Sequence, residues 1–201
     1  MDNIKGIIGY ASAAQQFIKM TLAVGFRELH RNFIEFFPES EGRVLDVGAG
    51  MGRDAAAFAE MGHSVVAVEP TNALRLAGQE LFGTVNIEWI DDALPSLARL
   101  GPDHRFDFIL ASGVWHHLDE DEQHSAISRI AELLSPNGIF AVSLRSGPAG
   151  VGTTVYPTSC SRTILSAESS GLKTVLCLEN QPSLQPNKHN VIWTRLAFRR
   201  L

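Results

Sequence analysis

The chain has 201 residues, 45% of them hydrophobic, with a formal net charge of −5. That length suffices for one domain with a sizeable core, and the acidic balance argues against charge-driven binding to nucleic acid or membrane surfaces. Two cysteines, Cys160 and Cys177, do not make a disulfide framework, so a reducing, cytoplasmic setting is expected.

No secretory signal is read at the start, where Lys5 is the only early basic residue and no unbroken apolar run follows it. Phe17 to Phe37 is apolar but interrupted by Lys19, Arg27, Glu28, His30, Arg31 and Glu35. It cannot span a bilayer and reads as one or two amphipathic helices. Strand and helix patterns then alternate. Strands are expected at Arg43–Val47, Ser64–Glu69, Val85–Ile90, Phe106–Ala111 and Ile139–Leu144. Helices are expected at Asp54–Met61, stopped by Gly62, at Asn72–Leu81 behind the cap Thr71, at Leu94–Leu100, and at Asp119–Leu134, stopped by "SPNG". Ser161–Ser170 reads as a further helix, and Lys173–Leu178 and Val191–Phe198 as strands. Alternation of this kind implies a parallel sheet with helices on both faces. The "ENQPSLQPNKHN" between the last two strands has no helical pattern, so an antiparallel return is expected there.

The most informative stretch is "VLDVGAGMGR", Val44 to Arg53. A glycine-rich turn from strand to helix leaves backbone N–H groups free and lets a ligand approach closely. The dinucleotide fingerprint G-x-G-x-x-G fails here, because its third glycine position is Arg53. A nicotinamide-dependent oxidoreductase is thereby disfavoured but stays open as an alternative.

"VLDVGAGMG" resembles the first motif of class I S-adenosylmethionine-dependent methyltransferases, acidic-x-G-x-G-x-G. The resemblance continues in order through "VVAVEP", "IEWIDDALPSL", "FDFILASGVWHHL" and "RIAELLSPNGIFAVSLRSGP", covering roughly Arg43 to Pro148. It implies a Rossmann-like α/β sandwich. The sheet would have seven strands, mostly parallel, with an antiparallel last strand and helices on both faces. One domain over 1–201 is expected, with an N-terminal helical cap (1–40), a cofactor-binding core (41–148) and a C-terminal substrate-side part (149–201). The cofactor implied is S-adenosyl-L-methionine, with contacts from Asp46, Gly48, Ala49, Gly50, Glu69, Pro70, Asp91, Asp92, Ala93 and Ser112. By the family pattern Asp46 helps hold the methionine end, Glu69 takes the ribose hydroxyls, Asp92 accepts the adenine amine, Ala93 faces the ring through its backbone, and Ser112 offers its carbonyl. Glu69 also reads as a solvated strand-end carboxylate, and Asp46 as a tie for the turn's own N–H groups.

The paired Asp91 and Asp92 invite a metal or acid–base reading, but no ligand cluster accompanies them, and no metal is expected. His116 and His117 read first as packing residues and second as a general base; Tyr10 is a further candidate over the cofactor or a mere cover. Trp115 fits either core or cofactor. Arg53 is expected to meet an acid near the turn, and Asp54 to cap the following helix. Substrate choice falls to the N-terminal region and to "RSGPAGVGTTVYPTSC", where Arg145 and Tyr156 are the contact candidates. A small-molecule acceptor is expected, without nucleic acid or membrane as partner. A cofactor-binding but inactive partner subunit remains the other reading.

Overall fold

The structure, a computed structural model, describes residues 4–151, 154–185 and 188–201. Its strands are β1 (Arg43–Val47), β2 (Ser64–Val68), β3 (Ile87–Ile90), β4 (Phe106–Ala111), β5 (Leu134–Ser146), β6 (Leu172–Pro182) and β7 (Ile192–Arg200). Its α-helices are α1 (Ala14–Leu22), α2 (Phe26–Leu29), α3 (Arg53–Glu60), α4 (Asn72–Leu81), α5 (Glu120–Leu133) and α6 (Cys160–Ser169). The strands form one sheet in the order β3-β2-β1-β4-β5-β7-β6. β1 to β5 pair in parallel, and β7 lies antiparallel between β5 and β6. This is the expected seven-stranded α/β sandwich with its reversed last strand inserted.

Alternation along each strand sorts the side chains into two cores. Leu45, Val66, Ile109, Phe140 and Leu196 face one side, where Ile127 and Ile130 of α5 cover them. Val44, Val65, Phe108, Ala141 and Ala197 face the other, under Phe58 of α3 and Phe33 of the N-terminal region. Phe26 and Phe37 close around Phe58, with ring centroids 5.1 and 4.9 Å away. Each large side chain fully buried in this way contributes about 1.5–3 kcal/mol. The N-terminal region is thus packed onto the sheet through α2 and its neighbours, whereas α1 buries none of its residues completely.

Helix α5 begins where a capping box fixes it. The Asp119 carboxylate accepts from Glu122 N, and the Glu122 carboxylate accepts from Asp119 N. Two expectations fail. Leu94–Leu100 makes separate turns rather than a helix: Leu97 sits at φ 44, and Asp92 draws Ala93 N and Arg99 N onto its two oxygens. The "SPNG" segment ends α5 but belongs to β5, which already pairs Leu134 with Phe106; Asn137 at φ 63 and a register shift absorb the extra residues. Among the described residues no helix is long and apolar enough to cross a membrane. Cys160 and Cys177 are free thiols with sulfurs 3.5 Å apart.

Candidate functional site

The turn after β1 is built on three left-handed glycines, Gly48, Gly50 and Gly52, at φ 69, 59 and 81. A Cβ at Gly48 would stand 2.8 Å from Val114 and at Gly50 2.9 Å from Phe17, so neighbours close in on the bare backbone. Gly48 N and Ala49 N both donate to Val68 O at the end of β2, which fixes the turn beside the next residue, Glu69.

Glu69 is buried. One carboxylate oxygen accepts from Gly50 N at 2.9 Å and the other from Thr71 N at 2.7 Å. Burial raises its pKa, while the bonds from Thr71 and Gly50 oppose the rise. The Thr71 side chain bonds Glu69 rather than the helix it precedes. Glu69, Pro70, Thr71, Ala93, Leu94, Val114 and Leu118 line one chamber of about 100 Å³. Its walls are mostly apolar, with the Glu69 carboxylate and the polar Tyr10, Thr71, Ser112 and His117 among them, a lining suited to a nucleoside. Asp91 and Asp92 are not among its walls. Asp91 pairs with Arg75 at 3.1 Å, and Asp92 is held by the two backbone donors already described.

A second chamber, about 170 Å³, is lined by Asp46, Ala49, Arg53, Asp54, His116, Arg145, Trp193 and Arg195 among others. Asp46 is buried with Oδ2 unpartnered among the described residues. Its pKa stands well above the usual carboxylate range, first through burial and then through the nearby Asp54 charge, and Arg53 opposes both. An acid left short of one partner, at the wall of a cavity, is set up to receive a cationic or hydrogen-donating ligand group. Asp54 does not cap α3 as expected. Its two oxygens are taken by His30 at 2.9 Å and Arg53 at 2.7 Å, which hold its pKa low against burial. Arg53 meets an acid as expected and also donates to Thr21 O and Val24 O, tying the turn to the end of α1.

Tyr10, Phe17, Gly48, Ser112, Gly113 and His117 border both chambers, so the two form one cleft at the carboxyl ends of the strands. Tyr10 bonds His117 across it at 2.9 Å. Burial pushes the Tyr10 hydroxyl up to about 12 and lowers His117. His116 is pushed down to about 2 by burial and by the neighbouring His117, Arg145 and Lys188. Trp115 is fully buried in the core. Arg145 is at the wall, its guanidinium bonded to the carbonyls of Gly147 and Pro148.

Of the candidates read from sequence, the cleft brings together Asp46, Gly48, Ala49, Gly50, Glu69, Pro70, Ala93, Ser112, Tyr10, His116, His117 and Arg145. Tyr156 is half-buried outside both chambers, and its backbone N–H donates to His116 O. Within the loop from Arg145 to Cys160, residues 152 and 153 lie outside the described residues. Trp193, Arg195 and Lys188 also face the second chamber and were not anticipated. The available signal was Arg195 itself, a charge inside the strand pattern "VIWTRLAF".

Comparison with known proteins gives a family model, "Methyltransferase domain", that matches residues 21–200. A ubiquinone biosynthesis O-methyltransferase of Rhodopseudomonas palustris is 29% identical over 116 residues, 58% of this chain and 45% of that protein. The chain spans about half the length of the curated relatives it matches. A TehB-like SAM-dependent methyltransferase from Corynebacterium glutamicum superposes with a TM-score of 0.69 at 20% identity, covering 94% of this chain and 97% of the other. The Burkholderia thailandensis 1,6-didemethyltoxoflavin-N1-methyltransferase, solved with 1,6-didemethyltoxoflavin and S-adenosylhomocysteine, gives 0.71 at 20% identity, covering 95% and 85%. At that identity the structural likeness is one of fold.

Proposed function

Because the chain belongs to the methyltransferase-domain family that 180 of its residues match, 21 to 200, we propose that it transfers a methyl group from S-adenosylmethionine to a small-molecule acceptor. The observation that carries the reading is the split cleft: a mostly apolar chamber with Glu69 in its wall, joined to a polar chamber holding the unpartnered Asp46 oxygen. A nucleoside joined to an amino acid needs those two ends.

The residues fit that cofactor. Glu69 keeps a lone pair for the ribose hydroxyls beyond its two backbone bonds and the one from the Thr71 side chain. Leu94, Val114 and Leu118 offer apolar walls to the base, with the Ala93 backbone beside them. Asp46 Oδ2 meets the need of an ammonium. Bound there, S-adenosylmethionine supplies a methyl activated by its sulfonium, open to direct displacement.

The chain's own contribution is orientation and exclusion of water, which together can supply ~7–11 kcal/mol. Neither histidine is poised as a base in this arrangement. Burial pushes His116 down to about 2, which makes it a weak base. His117 has its ring nitrogens bonded to Tyr10 and to Thr154 O, and burial pushes the Tyr10 hydroxyl up to about 12. This favours an acceptor that is nucleophilic as it arrives, such as a neutral amine, a thiolate or a phenolate. This supports the sequence reading of the histidine pair as packing.

Thermal melts test the proposal. S-adenosylhomocysteine at about 100 times its Kd adds about 2.7 kcal/mol, which for a domain of this size is a rise of roughly 5–11 °C. NAD and NADP should give none. A rise with NAD alone would overturn the reading in favour of an oxidoreductase. Release of S-adenosylhomocysteine with an acceptor then separates an enzyme from an inactive partner subunit.

A further inference from the structure

The second chamber carries more positive charge than the cofactor's amino-acid end requires. Strand register explains how it arises. Arg145 on β5 stands opposite Trp193 on β7, and Ser143 stands opposite Arg195. All four continue the row of Ala141 and Ala197, on the same face as Val44 and hence Asp46 of β1. One face of the sheet thus turns from apolar to cationic at its carboxyl edge.

Arg195 is 4% exposed and makes no hydrogen bond or ion pair among the described residues; its guanidinium lies 5.1 Å over the Trp193 ring. Lys188, half-buried at the same wall, has no such partner among them either. Arg145 is bonded only to neutral carbonyls. Of the chamber's two acids, Asp54 is taken by His30 and Arg53, and Asp46, its Oδ2 unpartnered among the described residues, is the one assigned above to the cofactor's ammonium. Burial and the adjacent Arg145 hold the Lys188 ammonium below its ordinary range, while Arg195 is lowered to about 10 by burial and Arg31, against the opposing charge of Asp54. Four cations, Arg53, Arg145, Lys188 and Arg195, line the cavity against two acids, Asp46 and Asp54, and a surplus of positive charge there is costly unless a ligand brings an anion.

We infer that this chamber selects an anionic acceptor, a small molecule carrying a carboxylate or phosphate that Arg145, Lys188 and Arg195 hold beside the Trp193 ring. The inference rests on the methyltransferase reading of the cleft and narrows its substrate class. Guanidinium groups suit both anions, because their paired N–H donors match two oxygens at once. The Trp193 ring gives a planar wall on which a ring-bearing acceptor can stack.

Calorimetric titration of the protein saturated with S-adenosylhomocysteine tests this, using benzoate, phenyl phosphate and neutral benzamide as probes. Either anion should bind saturably, at least about tenfold more tightly than benzamide, the usual scale for one charged hydrogen-bond contact. The tighter of the two anions names the group. Lys188→Gln and Arg195→Gln should each weaken the preferred anion about tenfold and leave S-adenosylhomocysteine affinity unchanged; Lys188 is on a loop, so its variant does not threaten the fold. Benzamide binding as tightly as the anions would overturn the inference. So would variants that lose S-adenosylhomocysteine and anion affinity equally, because the cations would then serve the cofactor's own carboxylate. Anion binding without any binding of S-adenosylhomocysteine would keep the anion site and remove the methyltransferase reading.

Discussion

Tyr10 Oη lies 2.9 Å from His117 Nε2, a contact between residues 107 apart in the chain. His117 Nδ1 continues to Thr154 O at 2.7 Å. A carbonyl only accepts, so Nδ1 carries the proton and Nε2 accepts from the Tyr10 hydroxyl. Three distant segments, before α1, after β4 and after β5, are thereby joined into one wall of the cleft. The burial that keeps Tyr10 protonated also keeps His117 neutral, so both groups hold the forms that this chain of bonds needs.

Tyr10→Phe should loosen that wall without unfolding the domain. One hydrogen bond of this kind contributes about 1 kcal/mol, so the segment before α1 should exchange its amide hydrogens roughly fivefold faster. S-adenosylhomocysteine should restore part of the protection. Unchanged exchange would mean that the ring packing of Tyr10 on Phe17, 5.2 Å between centroids, holds the segment alone.

His116 should give the stability a pH dependence that its removal abolishes. Its folded pKa, about 2, lies below the ordinary value of 6.5. Between these values the unfolded chain binds a proton there that the folded chain does not, so stability from this residue is present above pH 6.5 and lost as pH falls. Denaturant titrations from pH 4 to 6 should show His116→Asn with a slope against pH shallower by up to about 1.4 kcal/mol per unit. Equal slopes for variant and parent would show that the ring is protonated in the fold.

The strands and the glycine turn were legible because their signals are local. Leu45, Val47 and the glycines after them announce a buried strand entering a left-handed turn, whatever the rest of the chain does. Glu69 was legible by its distance from that turn. The segment Leu94–Leu100 was misread because its conformation is set by the Asp92 carboxylate reaching Arg99 N, a side-chain bond that periodicity does not register. Asp54 was misread as a cap because its partner His30 is 24 residues away. The cationic wall was missed for a related reason: Arg145 and Trp193 meet only once β7 inserts beside β5, and no sequence pattern gives that register.

Glu69→Gln should weaken S-adenosylhomocysteine binding about tenfold or more. The amide keeps the volume but offers one acceptor oxygen where the carboxylate offers two, and those two already serve Gly50 N and Thr71 N. Hydrogen bonds to a charged group contribute about 1.5–3 kcal/mol, and tenfold is about 1.4. Calorimetry reads the affinity and a melt reads the fold. Parent-like affinity in a variant that still folds would remove Glu69 from the ligand.

Gly52→Ala should show how tightly the turn is packed as well as how it is bent. At φ 81 an alanine is strained by roughly 1–2 kcal/mol wherever it sits. Here its Cβ would also stand 2.5 Å from the Trp89 indole. The indole cannot simply swing away, because a Cβ on Gly78 of α4 would stand equally close to it; the ring tip is wedged between the turn and the helix. Overpacking of this kind adds about 1–3 kcal/mol. The control is Gly62→Ala, at φ 92 with nothing within 4 Å of its Cβ, which should cost strain alone. Trp89→Leu removes the obstructing ring, so in that background Gly52→Ala should cost no more than Gly62→Ala does in the parent. A double-mutant cycle from denaturant titrations should therefore give a coupling of about 1 kcal/mol or more between positions 52 and 89. Additive effects would mean that the backbone conformation by itself excludes every residue but glycine, and that the indole contact contributes nothing to the shape of the turn.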